Sequence, residues 1–588
     1  MQAVRLGTVP KQTLSRNNFP VFPTRMRERG ILFDLKIPRL HVRVGIWWNS
    51  GNVGRNKRSA VPAMACYRVK SQHQNSKIAN MNPTPNMTRI NTVRKSLFAL
   101  TTMLVTIAIA SFEFSSTASA NDVVTDPPPN IVLIFADDLG WKDVGYQGDG
   151  FIETPNIDRL ATEGMVFSSA YASAANCAPS RACLLSGTYT PRHHVYAVNS
   201  TRRGPIKNMR LIPPQNRSGI AAKNFTIAEA MKSAGYATGH FGKWHSAGKD
   251  GSLPTVQGFD TTYNTFGDGQ VHASASDNKP GPPSDPKGVF TLTEKACEFM
   301  QNNQDRPFFC YLAHNAIHTP LQNQTATLEK FKQKKQKVAS DGNGSASVSP
   351  KYAGMVYDFD VSVGRLLEKI DQLKLTKKTL VIFTSDNGAI NQSPQEPLRG
   401  SKGGYYEGGI REPFIARWPG VIDPGSQCDV PITNVDFYPT FADVGRVKLP
   451  ASKVLDGESI VPLFKGKNLT RKSVFWHFPG YLNRPVVRGR PSDVRLRFRS
   501  RPVTVIRKGD WKLHLFHEAW QLDGGREKID TNEAVELYNL AEDIGERRDL
   551  ALEEPDKRDE LIDDLLAWIE STNAVIPSKP NPDYEPKR

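Results

Sequence analysis

The stretch Asn130-Ile-Val-Leu-Ile-Phe135 is followed directly by Ala136 and the acidic pair Asp137-Asp138. A continuous run of Ile, Val, Leu and Phe is typical of a strand that is buried on both faces of a parallel sheet. The acidic pair then falls just beyond the carboxyl end of that strand, where ligands bind in open α/β sheets. The stretch therefore predicts a buried strand with a polar site at its end.

Helical and strand-like segments alternate after this stretch. Helices are predicted near residues 156–163, from Cys177 onward, and at 226–234, 290–302 and 352–373. Strands are predicted at 236–245, 308–313 and 379–384. This alternation is typical of an α/β fold, and we expect a large mixed, mostly parallel sheet sandwiched by helices.

After about residue 450 the pattern changes to short strands, at residues 473–478, 503–507 and 511–516, followed by a helix at 556–570. We expect a smaller C-terminal α+β domain containing an antiparallel sheet. The predicted boundaries are 121–450 for the catalytic α/β domain, 451–575 for the C-terminal domain and 576–588 for a tail.

The formal net charge of the 588 residues is +17, which taken alone suggests a nucleic-acid partner. Residues 1–120 hold 18 of the 76 Lys and Arg residues but only three of the 59 acidic residues. Because residues 121–588 are therefore close to neutral, the basic character belongs to the N-terminal segment. We expect no nucleic-acid partner for the rest of the chain.

The N-terminal segment contains the pattern of a secretory signal peptide. Arg94-Lys95 precede an apolar run at residues 97–110, and Ala118-Ser119-Ala120 follows. The run is too short for a stable membrane span. We expect a signal peptide at 87–120 and an exported mature chain, periplasmic or extracellular. Residues 1–86 are interpreted as a leader that results from assigning the start codon too far upstream. The alternative is a real basic, disordered arm.

The six cysteines match no zinc-binding spacing, and they are too few for a disulfide framework. Cys183 lies in an apolar helical run and is expected to be a small buried residue. Cys177 would by itself also be interpreted as a buried thiol.

Acidic and amide side chains follow two of the predicted strands. Asp137 and Asp138 follow the first, and Asp386-Asn387 follow the strand at 379–384. Two acidic clusters at one edge of a sheet would repel each other unless a cation lay between them. Carboxylate and amide oxygens suit Ca²⁺ or Mg²⁺. A turn that ends in a capping Asp is the simpler interpretation of Asp-Asp-Leu-Gly taken alone.

The segment Cys177-Ala-Pro-Ser-Arg181, followed by an apolar run and Gly187, resembles the nucleophile motif of the type I sulfatases, in the alkaline phosphatase superfamily. Further blocks resemble the same family in its order along the chain. They are residues 130–141, Gly242-Lys-Trp-His245, 314–321, Ser385-Asp-Asn-Gly388, 402–413, 455–457 and 536–540. The resemblance covers about 130–555. Residue 412 departs from it, since Glu stands where the family usually has an apolar residue.

The resemblance implies a formylglycine-dependent sulfatase. Cys177 would be oxidised to formylglycine by an installing enzyme before folding, and its hydrate would attack the sulfur of a sulfate ester. One divalent ion, usually Ca²⁺ with Mg²⁺ possible, would be held by five side chains: Asp137, Asp138, Asp386, Asn387 and residue 177.

The remaining roles also follow from the resemblance. Arg181 would orient the nucleophile, and Lys243 and His245 would contact the nucleophile and the sulfate. Lys402 would bind sulfate oxygens. Either Lys402 or His318 would protonate the leaving oxygen. His245 would then take a proton from the second hydroxyl of residue 177 and so expel sulfate. Other histidines are interpreted as structural: His193, His194, His240 and His314.

The substrate is expected to be a sulfated carbohydrate. Arginines crowd residues 484–501, and Arg495, Arg497, Arg499 and Arg501 alternate, which on a strand places them on one face. Such a face would hold further sulfates of a glycan, and a solvated edge strand is the alternative. Two other functions remain open at this point, a phosphodiester or phosphonate hydrolase of the same fold and an inactive glycan-binding homologue.

Overall fold

The computed structural model describes residues 30–37, 40–47, 127–148, 150–249, 251–264, 282–341, 348–390, 392–393, 395–483 and 498–586. The chain divides into two compact units, residues 1–122 and 123–588. In the first unit, β1 (Gly30–Ile37) and β2 (Leu40–Trp47) pair antiparallel. The sequence analysis did not predict these two strands. The predicted signal peptide lies outside the described residues, and the predicted domain boundaries remain predictions.

The second unit contains strands along its whole length. They are β3 (Asn130–Ala136), β4 (Met165–Phe167), β5 (Ala170–Tyr171), β6 (Ala237–Gly242), β7 (Thr261–Tyr263), β8 (Phe308–Ala313), β9 (Thr379–Ser385), β10 (Ile415–Arg417), β11 (Ser426–Cys428), β12 (Ile432–Thr433), β13 (Ser473–Phe478), β14 (Leu482–Asn483), β15 (Phe498–Ser500), β16 (Val503–Lys508), β17 (Trp511–Phe516) and β18 (Val535–Asn539).

Helices separate most of these strands. They are α1 (Pro155–Glu163), α2 (Cys177–Ser186), α3 (Thr190–His193), α4 (Ile227–Ser233), α5 (Val289–Asn302), α6 (Thr325–Ser340), α7 (Pro350–Gln372), α8 (Glu407–Ile410), α9 (Phe437–Val444), α10 (His517–Leu522) and α11 (Pro555–Ser571). Among the described residues, no helix is long and apolar enough to cross a membrane.

The main sheet has eight strands in the order β11-β4-β10-β9-β3-β8-β6-β7. The five strands from β9 to β7 run parallel, while β10 pairs antiparallel with both β9 and β4. The predicted strand at 130–135 is β3, which lies inside the parallel part between β9 and β8. The expected mixed, mostly parallel sheet is confirmed.

Alternate side chains of β3 point into two separate apolar cores. Val132 and Ile134 belong to a core that includes residues of α1, α5 and α7. Ile131, Leu133 and Phe135 belong to a second core that includes residues of α2, α4 and α9. Helices therefore cover both faces of the sheet, which explains why β3 is apolar without alternation.

A second sheet follows in the C-terminal part, with the order β13-β16-β17-β18 and antiparallel pairing throughout. Leu561, Ile562 and Leu565 of α11 share an apolar core with β16, β17 and β18. This arrangement confirms the expected α+β part with one covering helix.

A buried ion network connects the second sheet to α8. Lys512 of β17 is fully buried, and its Nζ lies 2.9 Å from Glu407 Oε1 and 2.8 Å from Glu546 Oε1. Arg411 Nη1 lies 2.8 Å from Glu407 Oε2. Burial opposes the ionisation of Glu407, but the charges of Lys512 and Arg411 lower its pKa to about 2. Glu407 is therefore ionised at neutral pH.

Most predicted elements occur within two residues of their expected bounds. The predicted helix at 226–234 is α4, which begins after Thr226, and Thr226 and Glu229 form a capping box. The predicted strand at 236–245 is shorter, because β6 ends at Gly242 and leaves Lys243 and His245 in the following loop. Helix α6 was not predicted, since only Thr327 and Phe331 of it are buried.

Candidate active site

Four neighbouring parallel strands end at the same edge of the main sheet. Asp137 and Asp138 follow β3, and the register Ala136↔Ser385 places Asp386, which follows β9, beside them. Lys243 follows β6, and its backbone N–H donates to Ala313 O, at the end of β8, at 2.8 Å. Side chains that are far apart in sequence are thus brought to one site, as expected for this edge.

Cys177 is the first residue of α2, so the predicted helix start is where the sequence placed it. The Cys177 side chain is buried, with 1% of the residue exposed. The helix ends at Ser186. The next residue, Gly187, has a φ of 66°, the left-handed conformation that is common directly after a helix. The amide end of the helix therefore lies at the candidate nucleophile, where its partial positive charge favours a bound anion.

Arg181 lies one turn further along α2 and is fully buried. Its Nη2 lies 2.7 Å from Asp386 Oδ2, and its Nη1 donates to Lys243 O at 2.9 Å. The guanidinium also lies over the Phe135 ring, 5.2 Å from the centroid. Arg181 therefore holds the nucleophile helix against the ends of β9 and β6.

Two lysines contact the acidic cluster, and one of them also contacts Cys177. Lys402 Nζ lies 3.1 Å from Cys177 Sγ and 2.6 Å from Asp138 Oδ1. Lys243 Nζ lies 2.6 Å from Asp137 Oδ2. Cys177 Sγ itself lies 3.4 Å from Asp137 Oδ1. The nucleophile position is thus surrounded by cations and carboxylates.

The acidic cluster fits a divalent cation. One ligand atom from each of Asp137, Asp138, Cys177 and Asp386 lies within 4.8 Å of the others. Asn387 Nδ2 donates to Asp138 Oδ1 at 2.7 Å, while the buried Asn387 Oδ1 has no hydrogen-bond partner among the described residues. An amide oxygen beside three carboxylates is the donor set that Ca²⁺ and Mg²⁺ prefer.

The pKa values of the cluster show how burial and charge compete. Burial and the neighbouring Asp137 charge raise the pKa of Asp386 to about 6. Burial also opposes the ionisation of Asp137, but Lys243 and other nearby cations hold its pKa well below the usual value. For Cys177, burial and the Asp386 charge raise the thiol pKa well above its ordinary value. The unmodified Cys177 is therefore a neutral thiol.

Two histidines at the site are held in the neutral form. Burial and the charge of Lys243 lower the pKa of His245 well below its ordinary value. Burial is also the main cause that lowers the pKa of His318. His318 Nδ1 lies 2.7 Å from Thr319 O and so carries the proton, which leaves Nε2 facing Asp138 Oδ2 at 3.7 Å. Neutral imidazoles can accept protons during a reaction.

The structure brings together every side chain that the sequence analysis assigned to the site. These are Asp137, Asp138, Cys177, Arg181, Lys243, His245, His318, Asp386, Asn387 and Lys402. Three of the four histidines interpreted as structural, His193, His240 and His314, are buried, and burial lowers the pKa of each to about 3. The fourth, His194, is half-buried, and burial and the charge of Arg217 lower its pKa. The five described cysteines are free thiols, and Cys183 is buried as expected.

Glu412, the residue that departs from the family pattern, is buried beside β9. Its Oε2 accepts a hydrogen bond from Thr384 Oγ1 at 3.4 Å. Burial and the charge of Asp386 raise the Glu412 pKa well above its usual value. The carboxyl group is therefore neutral and adds no charge to the acidic cluster.

Two arginines of the predicted alternating row, Arg499 and Arg501, are described, and they make different contacts. Strand β15 ends at Ser500, and Arg501 Nη1 lies 3.8 Å from Glu518 Oε2. Arg499 instead donates from Nη1 to Lys402 O at 2.9 Å. Arg495 and Arg497 lie outside the described residues. The expectation of a common face is therefore wrong for Arg499 and Arg501, because the strand is too short to include both.

Arg499 and Arg203 are the residues near the site that the sequence analysis did not place there. The sequence analysis expected Arg499 to hold further sulfates of a glycan, but it did not place this residue against Lys402 O. Arg203 lies in a polar loop with no motif. Its position could not be found without the three-dimensional arrangement.

The sequence and structure match known proteins over most of the chain. The sulfatase family profile matches residues 129–447, and the profile of the N-sulphoglucosamine sulphohydrolase C-terminal region matches residues 401–497. A sulfatase of Formosa agariphila is 31% identical over 536 residues, covering 76% of this chain and 89% of that protein. Mouse N-acetylgalactosamine-6-sulfatase is 30% identical, covering 77% of this chain and 88% of that protein.

A solved structure, Ps i-CgsB in complex with k-i-k-neocarrahexaose, is similar to this chain with a TM-score of 0.58 and 26% sequence identity. The match covers 77% of this chain and 94% of that one. The fold, the order of the sequence blocks and these matches agree with one another. The chain belongs to the sulfatase family, whose members are enzymes that hydrolyse sulfate esters.

Proposed function

We propose that this protein is a formylglycine-dependent sulfatase that releases inorganic sulfate from a sulfated carbohydrate. The observation that carries the proposal is the position of Cys177, whose Sγ lies 3.1 Å from Lys402 Nζ and 3.4 Å from Asp137 Oδ1 at the amide end of α2. Relatives named for a sugar sulfate and a similar structure with a bound oligosaccharide support a carbohydrate substrate.

The surroundings of Cys177 argue against the unmodified thiol as the nucleophile. A neutral buried thiol is a poor nucleophile, and an acidic cluster beside it raises its pKa further. The hydrated aldehyde of formylglycine offers two hydroxyl groups in place of one thiol. One hydroxyl would attack the sulfur of the ester. The second hydroxyl would lose its proton when sulfate leaves.

The charged residues around position 177 would do the binding and proton transfers. Lys402 and Lys243 would bind the sulfate oxygens, where negative charge accumulates in the transition state. Lys402, or His318 after its Nε2 has gained a proton, would supply a proton to the leaving oxygen. His245, which is neutral, would accept the proton of the second hydroxyl. Arg181 would hold α2 in position through its ion pair with Asp386.

Asp137, Asp138, Asp386, Asn387 and residue 177 would hold one divalent cation, Ca²⁺ or Mg²⁺. A bound cation supplies positive charge that stabilises sulfate oxygens and the ionised nucleophile. The proposal also includes export of the chain and an installing enzyme that acts before folding.

The function is tested by measuring free sulfate released by residues 121–588, produced together with a formylglycine-installing enzyme. The substrates are sulfated polysaccharides, their oligosaccharides, an aryl sulfate, and matched phosphate and phosphonate esters. We expect sulfate release by the parent and none by Cys177→Ala, with Cys183→Ala as the cysteine control. Faster release of phosphate or phosphonate than of sulfate by protein with confirmed formylglycine would contradict the proposal.

Removal of the divalent ion is expected to lower thermal stability. A ligand that binds only the folded state adds about 2.7 kcal/mol at a hundredfold excess over its Kd. Melting temperatures of chelator-treated protein are measured across a Ca²⁺ titration. Asn387→Ala is expected to raise the Ca²⁺ concentration that gives half of the increase in melting temperature by about tenfold or more. Asn224→Ala, a half-buried asparagine elsewhere, is the control, and equal titration curves for both variants would argue against Asn387 as a ligand.

A further inference from the structure

Arg499 lies next to the residue that contacts the nucleophile. It belongs to β15, which pairs with β14 through Leu482↔Ser500 and Asn483↔Phe498. Its Nη1 donates to Lys402 O at 2.9 Å, and Lys402 Nζ lies 3.1 Å from Cys177 Sγ. A Cβ atom at Gly403 would lie 2.8 Å from Arg499 Cδ, so the arginine side chain crosses the backbone of this glycine.

The loop that carries Arg203 lies along the same pair of strands, β14 and β15. Arg203 N donates to Tyr481 O at 3.1 Å, and Arg202 forms a parallel bridge with Tyr481. A Cβ atom at Gly204 would lie 2.7 Å from Phe498 Cε1. The backbone of Tyr481 and the side chain of Phe498 therefore hold the backbone of Arg203 close to β15.

The positive charge of Arg203 acts on the Arg499 guanidinium. Burial and the positive charge of Arg203 lower the pKa of Arg499, while the charge of Asp138 raises it. The hydrogen bond to Lys402 O places the Arg499 guanidinium beside the active site, and the contact of Gly204 with Phe498 places the backbone of Arg203 next to β15. An anion bound beside both guanidinium groups would stabilise both positive charges. Guanidinium groups also match the geometry of sulfate and carboxylate oxygens.

We propose that Arg203 and Arg499 form a second anion subsite, beside the position where the ester is cleaved, that binds another sulfate or a carboxylate of the substrate. This inference rests on the proposed function, and it narrows the substrate class to sulfated carbohydrates with at least two anionic groups. Arg501 is not part of the subsite, because its guanidinium lies near Glu518 and over the Phe516 ring.

Binding is the first test, because it needs no turnover. In the Cys177→Ala background, calorimetry measures the Kd of matched monosulfated and disulfated forms of galactose and of N-acetylgalactosamine. Monosulfated disaccharides that carry a uronic acid form a third arm, which separates carboxylate from sulfate as the second anion. We expect at least one two-anion probe to bind about tenfold or more tightly than its one-anion partner, the size of one charge-assisted hydrogen bond.

The variants Arg499→Gln and Arg203→Gln are expected to remove most of that preference, while Arg499→Lys retains part of it. Arg202→Gln is the matched control, an exposed arginine next to Arg203, and it is expected to keep the parent ratio. Equal affinity of the Cys177→Ala protein for one-anion and two-anion probes would overturn the subsite. So would a loss in Arg499→Gln that is the same for both probes, because Arg499 would then only position Lys402.

Kinetics on the formylglycine-containing protein separate this inference from the function on which it rests. We expect the variants to raise KM for two-anion substrates more than they lower kcat. Absence of sulfate release by the parent, together with an Arg-dependent preference in binding, would reject the proposed hydrolysis but retain the anion subsite. Sulfate release by the parent without an Arg-dependent preference in binding would support the proposed hydrolysis and reject the anion subsite.

Discussion

The Cys177→Ser variant is expected to accept sulfate once and then stop. Serine has one hydroxyl group, so it can attack sulfur from the position that Lys402 Nζ approaches. It lacks the second hydroxyl from which His245 would take a proton to expel sulfate. We expect turnover to fall by about a thousandfold or more, and a sulfate ester to remain on Ser at position 177.

Mass spectrometry of the peptide that contains residue 177 checks this result after incubation with substrate. Cys177→Ala, which has no nucleophile, is the control and should gain no mass. The parent should show formylglycine and no lasting sulfate adduct. Sustained turnover by Cys177→Ser would show that water attacks sulfur directly, and it would contradict the proposed role of the second hydroxyl.

The Lys512→Met variant is expected to lose about 3–5 kcal/mol of unfolding free energy, the usual cost of breaking one side of a buried ion pair. Lys512 is fully buried between Glu407 and Glu546, so its removal leaves carboxylates in the interior without this partner. Natural domains have about 5–15 kcal/mol of stability in total. We therefore expect a large fall in melting temperature and poor yield of folded protein.

Lys508→Met provides the matched control on the neighbouring strand. Lys508 forms ion pairs with Glu560 and Asp564 at 2.7 Å each, but 29% of its side chain is exposed. Ion pairs of this kind contribute about 1 kcal/mol or less. Thermal and denaturant unfolding of the two variants should therefore differ clearly. Equal small losses would show that the buried network contributes little to the attachment of the second sheet.

The parts of the fold that were predicted correctly are those with a local signal. Strand β3 is a continuous apolar run because both of its faces are buried under helices. The same holds for β9, so the placement of Asp137 and Asp386 at one edge followed from sequence alone. Short strands such as β10, with three residues, have no such pattern. Their antiparallel pairing depends on tertiary contacts.

The site was predictable where residues stand directly after strands or within a recognisable motif. Arg499 shows the limit of that reasoning, because its proposed role depends on the pairing of β14 with β15 and on its contact with Gly403. The expected alternation through Arg501 assumed a strand that continues beyond Ser500, where β15 ends. Arg203 carries no local signal at all, and only the bridge between Arg202 and Tyr481 shows where it lies.

The position of β3 in the sheet affects when Cys177 becomes inaccessible during synthesis. β3 is made first among the strands of the main sheet, yet its two neighbours are β8 and β9. The sheet cannot close until the ribosome has passed Ser385, because pairing between distant segments must wait for both of them. Until then the Cys177 segment remains an unfolded peptide that an oxidising enzyme can bind. Once folded, the residue is 1% exposed, so under the proposed chemistry a chain that folds unmodified stays unmodified.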